Sequence, residues 1–375
     1  MIPMANQTVT YACPNCGAPL TYNPATKNFT CDFCASSFTE EEVKAHKIGQ
    51  NEGEDTSENA KQTVDDGYDG ADVGAEEQYE GEDAEVREYI CPNCGAEIMT
   101  DPSTVATFCY YCHSPVVLSE RVSGMVKPQK VIPFRLDKEA AQQKFLSYIK
   151  KKWFVPKNYF SKEQMETMSG IYFPFWVTDA DTEGTYETIA HRVRSWREGD
   201  YEYTETRNYL VRRRGKIHFE DIVTAAISSE DKQMLEGILP FPPAEHKPFE
   251  MPYLLGFGAK KRDVTKEQVV PEVRERIHDY SRTILRGTVH GYTSVDPGSC
   301  HVREEKSTWE YALMPVWLMT YRNKKGKLFY YAMNGCTGKL YGELPISFAK
   351  LAALFAGVAA LALPLLILLF GGMMG

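Results

Sequence analysis

Two cysteine sets with the same spacing constrain the fold of this chain more than any other feature. Eight of the ten cysteines belong to them. The first set is Cys13, Cys16, Cys31 and Cys34, and the second set is Cys91, Cys94, Cys109 and Cys112. Each set has the pattern C-x2-C-x14-C-x2-C, and the second lies 78 residues after the first throughout. The same offset relates Tyr11 to Tyr89, and Gly17 to Gly95. The repetition predicts two copies of one small unit.

This spacing is typical of metal ligands. Two residues between paired cysteines permit a tight turn that aims both sulfurs at one ion. Four thiolates in a tetrahedron favour Zn²⁺ and leave no open coordination position, so each set is predicted to hold one structural zinc ion. A redox role for the C-x2-C pairs is the alternative, which two pairs at matched spacing disfavour. His113, beside Cys112, is interpreted as a surface neighbour and not as a ligand.

No catalytic constellation emerges from the sequence. There is no G-x4-G-K-[ST] motif, which excludes a P-loop nucleotide site, and the other common hydrolase and dinucleotide motifs are also missing. Cys300 and Cys336 are interpreted as ordinary thiols because no base context surrounds them. Asp179 and Asp181 could hold a divalent cation, but solvated turn carboxylates are the simpler interpretation. The chain is therefore predicted not to be an enzyme.

The charge of the chain is concentrated in one stretch. The formal net charge is −9, yet residues 51–90 alone carry 15 acidic and 2 basic side chains, a net charge of −13. Such a stretch with few aliphatic residues is predicted to be a disordered, self-repelling linker. The predicted domains are zinc ribbon 1 (1–46), the acidic linker (47–88), zinc ribbon 2 (89–125), a folded domain (126–346) and a terminal helix (348–371).

The folded domain is predicted to be antiparallel α+β. Apolar residues recur every four positions after Asp137, namely Ala141, Phe145, Ile149 and Trp153, which predicts a helix. A second helical stripe comprises Val273, Ile277, Tyr280 and Ile284. The Pro174 and Trp176 pattern returns as Pro315 and Trp317, displaced by 141 residues. This echo suggests a duplicated strand–helix–strand unit.

The terminal helix is predicted to cross a membrane. Residues 351–370 form a run of 20 residues without a polar or charged side chain. Twenty residues at about 1.5 Å each cover about 30 Å, the thickness of a bilayer hydrocarbon core. A buried core helix and a re-entrant hairpin at Pro364 are the alternatives. Basic residues precede the run and none follows it, so the N-terminal region is expected in the cytoplasm of a single-pass cell-membrane protein.

Three basic clusters allow several readings. They are Arg192/Arg194/Arg197, Arg212/Arg213/Arg214/Lys216 and Lys260/Lys261/Arg262. Solvated strand edges are favoured over a contact with anionic lipid, and nucleic acid is the least favoured partner. The ribbons themselves are poor in Lys and Arg, whereas a ribbon that grips phosphates needs them. Protein contact through the aromatic tips Phe33, Tyr110 and Tyr111 is the favoured interpretation.

Taken together, these motifs resemble a known group of proteins. The C-P-N-C-G ribbons, the strings at 173–176, 314–317 and 334–339, and the terminal apolar run are similar to bacterial zinc-ribbon membrane proteins. Their ribbon resembles that of transcription factor IIB (TFIIB-type), and the group is sometimes labelled primosomal-helicase-like. The resemblance covers about residues 89–370. It implies membrane-associated partner proteins, among them phage-shock-protein-A-like and flotillin-like proteins, and it carries over no catalytic residue.

The sequence therefore favours a membrane-anchored, non-catalytic adaptor whose zinc ribbons recruit partner proteins. A membrane-tethered nucleic-acid-binding regulator is the alternative, and an enzyme in the α+β domain is the third hypothesis.

Overall fold

A computed structural model describes residues 8–45, 47–48, 87–91, 97–100, 103–109, 114–118, 127–155, 168–228, 231–322, 328–342, 344 and 347–371. Apart from two residues at each end, the predicted linker 47–88 lies outside the described residues, as do Cys94, Cys112, His113, Tyr110 and Tyr111. The chain divides into two compact units. Unit 1 comprises 1–126 and 251–261, and unit 2 comprises 127–250 and 262–375.

The strands, in chain order, are β1 (Thr8–Tyr11), β2 (Leu20–Asn23), β3 (Asn28–Cys31), β4 (Ser37–Phe38), β5 (Lys47–Ile48), β6 (Arg87–Ile90), β7 (Glu97–Thr100), β8 (Thr104–Phe108), β9 (Pro115–Leu118), β10 (Lys130–Val131), β11 (Ser169–Glu198), β12 (Tyr201–Ala225), β13 (Lys247–Pro248), β14 (Gly258–Lys260), β15 (Ser294–Val295), β16 (Ser299–Arg322), β17 (Leu328–Asn334) and β18 (Leu340–Gly342). The helices are α1 (Glu40–Lys44), α2 (Lys138–Lys150), α3 (Asp231–Gly237), α4 (Lys266–Gly287) and α5 (Phe348–Gly371). Short 3-10 turns cover Pro243–Glu245 and Met251–Leu254.

Unit 1 joins the two cysteine segments in one sheet. Strands β5, β1, β9, β8 and β14 lie side by side, all antiparallel, so that β1 of the first segment pairs with β9 of the second. Strands β2, β3 and β4 form a separate antiparallel sheet, and β6 pairs with β7. Segment 251–261 completes the unit. Its Tyr253 ring lies 5.5 Å from the Tyr22 ring and 6.3 Å from the Phe29 ring. The two segments therefore share a fold, although the sequence suggests separate ribbons on a tether.

Unit 2 is built on a sheet whose long strands β11 and β16 run antiparallel. Strand β12 lies beside β11, and β17 and β18 follow β16, all antiparallel. Strand β10, however, runs parallel to β16, with Lys130 opposite Ala312. The sheet is mixed, so the predicted antiparallel α+β class is wrong and the fold is mixed α/β with a large sheet. A two-residue strand that meets a partner some 180 positions away carries no sequence signal of its direction.

The centre of this sheet has a local twofold relation. Phe173 lies directly opposite Met314, and these residues are 141 positions apart, the offset of the Pro and Trp echo. The two echoed tryptophans make equivalent contacts. Trp176 Nε1 donates to the Val264 carbonyl at 3.1 Å, and Trp317 Nε1 donates to the Leu136 carbonyl at 3.0 Å. Each acceptor immediately precedes the N-cap residue of a helix, α4 or α2.

Two helices pack on unit 2 with buried faces that the sequence predicts in part. The α2 helix begins as expected, since the Asp137 side chain accepts a hydrogen bond from the Ala140 amide at 2.7 Å. Ala141 and Phe145 are buried, but the helix ends at Lys150 and Trp153 is exposed. The buried face of α4 comprises Val269, Val273, Ile277, Ser281 and Leu285. Tyr280 and Ile284 of the predicted stripe are about half exposed.

The terminal helix α5 differs from its prediction. Among the residues that the structure describes, no helix is both long and apolar enough to cross a membrane. The predicted transmembrane helix at 348–371 and the single-pass membrane localisation are therefore wrong.

Candidate metal centre

The four cysteines of the first set converge on one point of unit 1. Their Sγ atoms all lie within 4.8 Å of one another. Cys13 Sγ is 3.5 Å from Cys34 Sγ, and Cys16 Sγ is 3.5 Å from Cys31 Sγ. Cys13 and Cys31 are buried, while Cys16 and Cys34 are exposed. Among the described residues, only this group brings three or more possible His, Cys, Asp or Glu ligands together.

Two similar backbone turns present these sulfurs. In the first turn, the Gly17 amide donates to the Cys13 carbonyl at 2.9 Å, and in the second the Ala35 amide donates to the Cys31 carbonyl at 2.9 Å. Gly17 and Ala35 both have a positive φ, 75° and 57°. Such a conformation costs glycine little, which explains the glycine of the first turn, and alanine adopts it at a steric cost. The turns leave paired cysteines pointing to the same side.

The second set is described in part, and what is described matches the first. The Cys109 amide donates to the Ser114 carbonyl at 2.9 Å, just as the Cys31 amide donates to the Ser36 carbonyl at 2.9 Å, 78 positions earlier. Cys91 and Cys109 are both buried in one cluster with Tyr89, Val116 and Leu118. The predicted ligands Cys94 and Cys112 lie outside the described residues, so the second metal site stays a prediction.

The sequence reasoning missed Ser36, which lies against the first set. Its Oγ is 3.2 Å from Cys34 Sγ and accepts a hydrogen bond from Asn15 Nδ2 at 2.8 Å. Hydrogen bonds from the side chain and backbone of Ser36 lower the pKa of Cys34 to about 6. A serine also stands at position 114, 78 residues after Ser36, which is the offset of the repeat. This recurrence is the sequence signal that could have identified Ser36 as part of the site.

The Cys16 thiol of the same set holds its proton more tightly. At Cys16 a backbone hydrogen bond from Ala18 lowers the pKa, but desolvation and the neighbouring thiols outweigh it and raise the pKa to about 12. Crowded thiols cannot all ionise without a cation between them, because each thiolate disfavours the next. A positive ion among the four sulfurs would therefore stabilise their ionised form strongly.

A tetrahedral ion fits this arrangement. Sulfurs that each lie about 2.3 Å from a zinc ion at the centre of a tetrahedron are about 3.8 Å from one another. The observed separations, 3.5 Å for two pairs and at most 4.8 Å for the rest, bracket that value. The four cysteines could thus hold one metal ion without a large rearrangement.

The described candidate residues outside the two cysteine sets do not assemble into a further centre. Asp179 Oδ1 accepts a hydrogen bond from the Asp221 amide at 2.9 Å, whereas Asp181 Oδ1 lies 2.6 Å from His218 Nδ1. Each carboxylate thus has its own protein partner. Burial raises the pKa of the Cys336 thiol to about 12, and burial also raises the pKa of Cys300. Neither is an activated nucleophile in this state.

The basic clusters are largely paired within the protein. Arg214 lies 2.9 Å from Glu183, and Lys216 lies 3.1 Å from Glu305. The Arg192 guanidinium lies over both the Tyr209 and Tyr292 rings and donates to the Gly291 carbonyl. Arg262 packs against the Trp176 ring. Several cations of these clusters therefore have partners within the protein.

Comparison with curated proteins finds a relative along almost the whole chain, the uncharacterized protein YdjG of Bacillus subtilis (strain 168). The two sequences are 31% identical over 367 residues, which cover 97% of this chain and 99% of YdjG. No protein-family model matches the chain, and no solved structure matches it. Identity of this extent shows that the chain belongs to the same family as YdjG.

Proposed function

We propose that this chain is a non-catalytic zinc-ribbon adaptor, in which Zn²⁺ holds unit 1 together and the ribbon surface recruits a partner protein. The observation that carries the proposal is the convergence of four cysteine sulfurs within 4.8 Å. A site with four thiolate ligands has no position left for substrate or water, so its contribution is structural. Zinc would supply the cross-link that so small a sheet, β2 to β4, lacks.

An aromatic side chain at the tip of the second turn supports the recruiting role. Phe33 lies between Cys31 and Cys34, and 79% of its surface is exposed. A large aromatic ring held on a turn by metal ligands is presented rigidly, and rigid aromatics are enriched where proteins bind each other. Phe33 is thus the proposed contact residue of the described ribbon.

The metal part of the proposal is tested by elemental analysis of the purified chain. Zinc is expected in the wild type, and Cys31→Ser is expected to lower the zinc content by one ion per chain while the second set keeps its own. Retention of full zinc content in Cys31→Ser contradicts the proposal, and so does iron in place of zinc.

The adaptor part is tested by crosslinking and affinity purification from the native host. Phe33→Ala is expected to keep its zinc and to lose the partners that the wild type retains. Trp153→Ala is the matched control, because Trp153 is also an aromatic residue with 79% exposure and lies in unit 2. If Phe33→Ala keeps every partner, the ribbon tip is not the recruiting surface.

A further inference from the structure

A two-stranded arm extends β11 and β12 beyond the rest of the sheet. Strand β16 pairs with β11 only as far as Glu187, and β15 pairs with it only as far as His191. The Val193 amide still donates to Thr293 Oγ1 at 3.0 Å. From Arg194 to Glu205, within the part of the chain that the structure describes, β11 and β12 pair with each other alone. We call residues 194–205 the arm.

The arm is an unusual element to leave in water. Its residues are exposed on both faces, except for a half-buried Glu205. An isolated two-stranded hairpin is marginally stable, and three strands or a packed face are needed for independent stability. One face nevertheless carries large aromatic rings. Tyr201 is 72% exposed, while Trp196 and Tyr203 are 41% and 45% exposed and stack on each other with centroids 5.6 Å apart.

This aromatic face is defined by the alternation of side chains along each strand. Trp196 is directly opposite Tyr203, and Arg194 is opposite Glu205. The Arg194 guanidinium lies 5.9 Å from the centre of the Trp196 ring, and Glu205 accepts a hydrogen bond from Arg207 at 2.8 Å. The face is therefore an ordered patch with an aromatic centre, the Arg194 and Glu205 charges on one side of it and Glu198 on the side of the turn.

The charges of the arm favour a partner with the same composition. On the aromatic face Arg194 of β11 lies opposite Glu205 of β12, whereas Arg197 and Glu202 lie opposite each other on the other face. With Glu198 and Asp200 near the turn, the arm has a net charge of −2, which disfavours nucleic acid and anionic lipid. A cation on one strand opposite an anion on the other, as with Arg194 and Glu205, is nevertheless complementary to itself after a twofold rotation.

We propose that the aromatic face of the arm packs against the same face of a second copy of this chain. If the twofold axis runs along the strands, β11 of one copy lies over β12 of the other. The two arms then point in the same direction. The Trp196 and Tyr203 rings of one copy contact those of the other at the same height along the strands. Arg194 of each copy faces Glu205 of the other. Such an isologous contact covers the exposed rings, and the Arg194–Glu205 pair forms twice in it.

The proposal is tested with two charge reversals in the full chain, Arg194→Glu and Glu205→Arg. Each variant alone places like charges across the interface, which disfavours self-association. A mixture of the two places an acidic face against a basic face. We expect differently tagged copies of the wild type to capture one another. Capture should fall about tenfold or more for each variant alone, and it should return when the two variants are mixed.

The matched control is a reversal of the same kind elsewhere in unit 2, Lys151→Glu mixed with Glu275→Arg, since both side chains are exposed and lie off the arm. Capture by these copies should not change. The proposal is overturned if the wild type shows no capture of its own copies, or if Arg194→Glu copies capture one another as well as the wild type does. Recovery in the mixture shows in the same experiment that both variants are folded.

Discussion

Ser36 illustrates how one side chain outside the four cysteines changes the properties of a candidate metal centre. Its hydroxyl lies 3.2 Å from Cys34 Sγ, and its contacts lower the pKa of that thiol to about 6. Zinc binds the thiolate, so protons compete with the metal wherever the thiol pKa exceeds the pH. A lowered pKa thus extends zinc binding to more acidic conditions.

We predict that Ser36→Ala raises the pKa of Cys34 and weakens zinc binding about tenfold, the lower end of the usual effect of outer-shell hydrogen bonds. The pH at which half of the zinc is released should rise, because protonation of Cys34 begins at higher pH. Competition with a chromogenic chelator across a pH series measures both quantities. Ser37→Ala, one position on, is the control, and an equal effect there would contradict the role of Ser36.

Asn334 acts at the same scale in unit 2. Its fully buried amide donates to the Ile238 and Pro240 carbonyls, each at 3.1 Å, and accepts from the Cys336 and Thr337 amides at 2.9 and 3.0 Å. The side chain thus uses all of its polar capacity to join the turn after β17 to the segment after α3.

We predict that Asn334→Ala lowers the free energy of unfolding of unit 2 by about 2–4 kcal/mol, because several buried backbone groups lose their partner at once. Urea denaturation followed by tryptophan fluorescence measures the change. Asn334→Asp, which keeps the acceptor oxygen but cannot donate to both carbonyls, should also be destabilising. A change below about 0.5 kcal/mol, typical of a surface substitution, would contradict this role.

At the scale of elements, α4 shows how a helix selects its buried face. Its buried residues follow a strict four-residue spacing from Val269 to Leu285, including the polar Ser281. The stripe predicted from the sequence instead includes the larger apolar residues Tyr280 and Ile284, which are 52% and 47% exposed. Both sets lie at helical spacing and are apolar apart from Ser281, so periodicity alone does not separate them. The sheet beneath the helix decides which side is covered.

We therefore predict a large difference between two chemically identical substitutions on α4. Ile277→Ala should cost about 2–4 kcal/mol of unfolding free energy, because Ile277 packs with Ala180, Ile222 and Val273 in a buried cluster. Ile284→Ala removes the same atoms from a half-exposed site and should cost well under 1.5 kcal/mol. Chemical denaturation of both variants provides the comparison. Equal losses would mean that the helix buries the face predicted from the stripe.

At the scale of the whole molecule, unit 1 is assembled from distant parts of the chain. Segment 251–261 contributes β14, which pairs with β8, and Tyr253, which donates to Glu40 at 2.6 Å. The Tyr22 amide donates to the Leu255 carbonyl at 3.0 Å. The fold around the cysteine sets therefore depends on residues that lie far from either set in sequence.

We predict that zinc removal loosens this segment together with the ribbon. After treatment with a strong chelator, amide hydrogen exchange should accelerate in 20–31 and in 253–260 alike, since metal binding supplies folding energy to the unit. Amides of 171–177 and 312–318, in the centre of the unit 2 sheet, should stay protected. Unchanged exchange in 253–260 would show that the segment is ordered without the metal-stabilised ribbon.

The sequence by itself determined the local features of this protein. The cysteine spacing identified all four members of the converged set, because two intervening residues bring two sulfurs together through short-range geometry alone. Asp137 marked the start of α2 for a similar reason, since a capping side chain reaches only to the next turn. The 141-residue echo likewise placed Trp176 and Trp317 in equivalent positions.

Only the tertiary structure decided which distant elements pair. The parallel direction of β10, the sheet that joins β1 to β9, and the transfer of segment 251–261 to unit 1 all depend on backbone hydrogen bonds between remote residues. Backbone groups are the same at every position, so the sequence carries little trace of such pairings. The buried face of α4 and the partners of the basic clusters follow from these pairings. Residue spacing therefore predicts which side chains meet within one turn, whereas strand pairing in the sheet determines which turns and helices become neighbours.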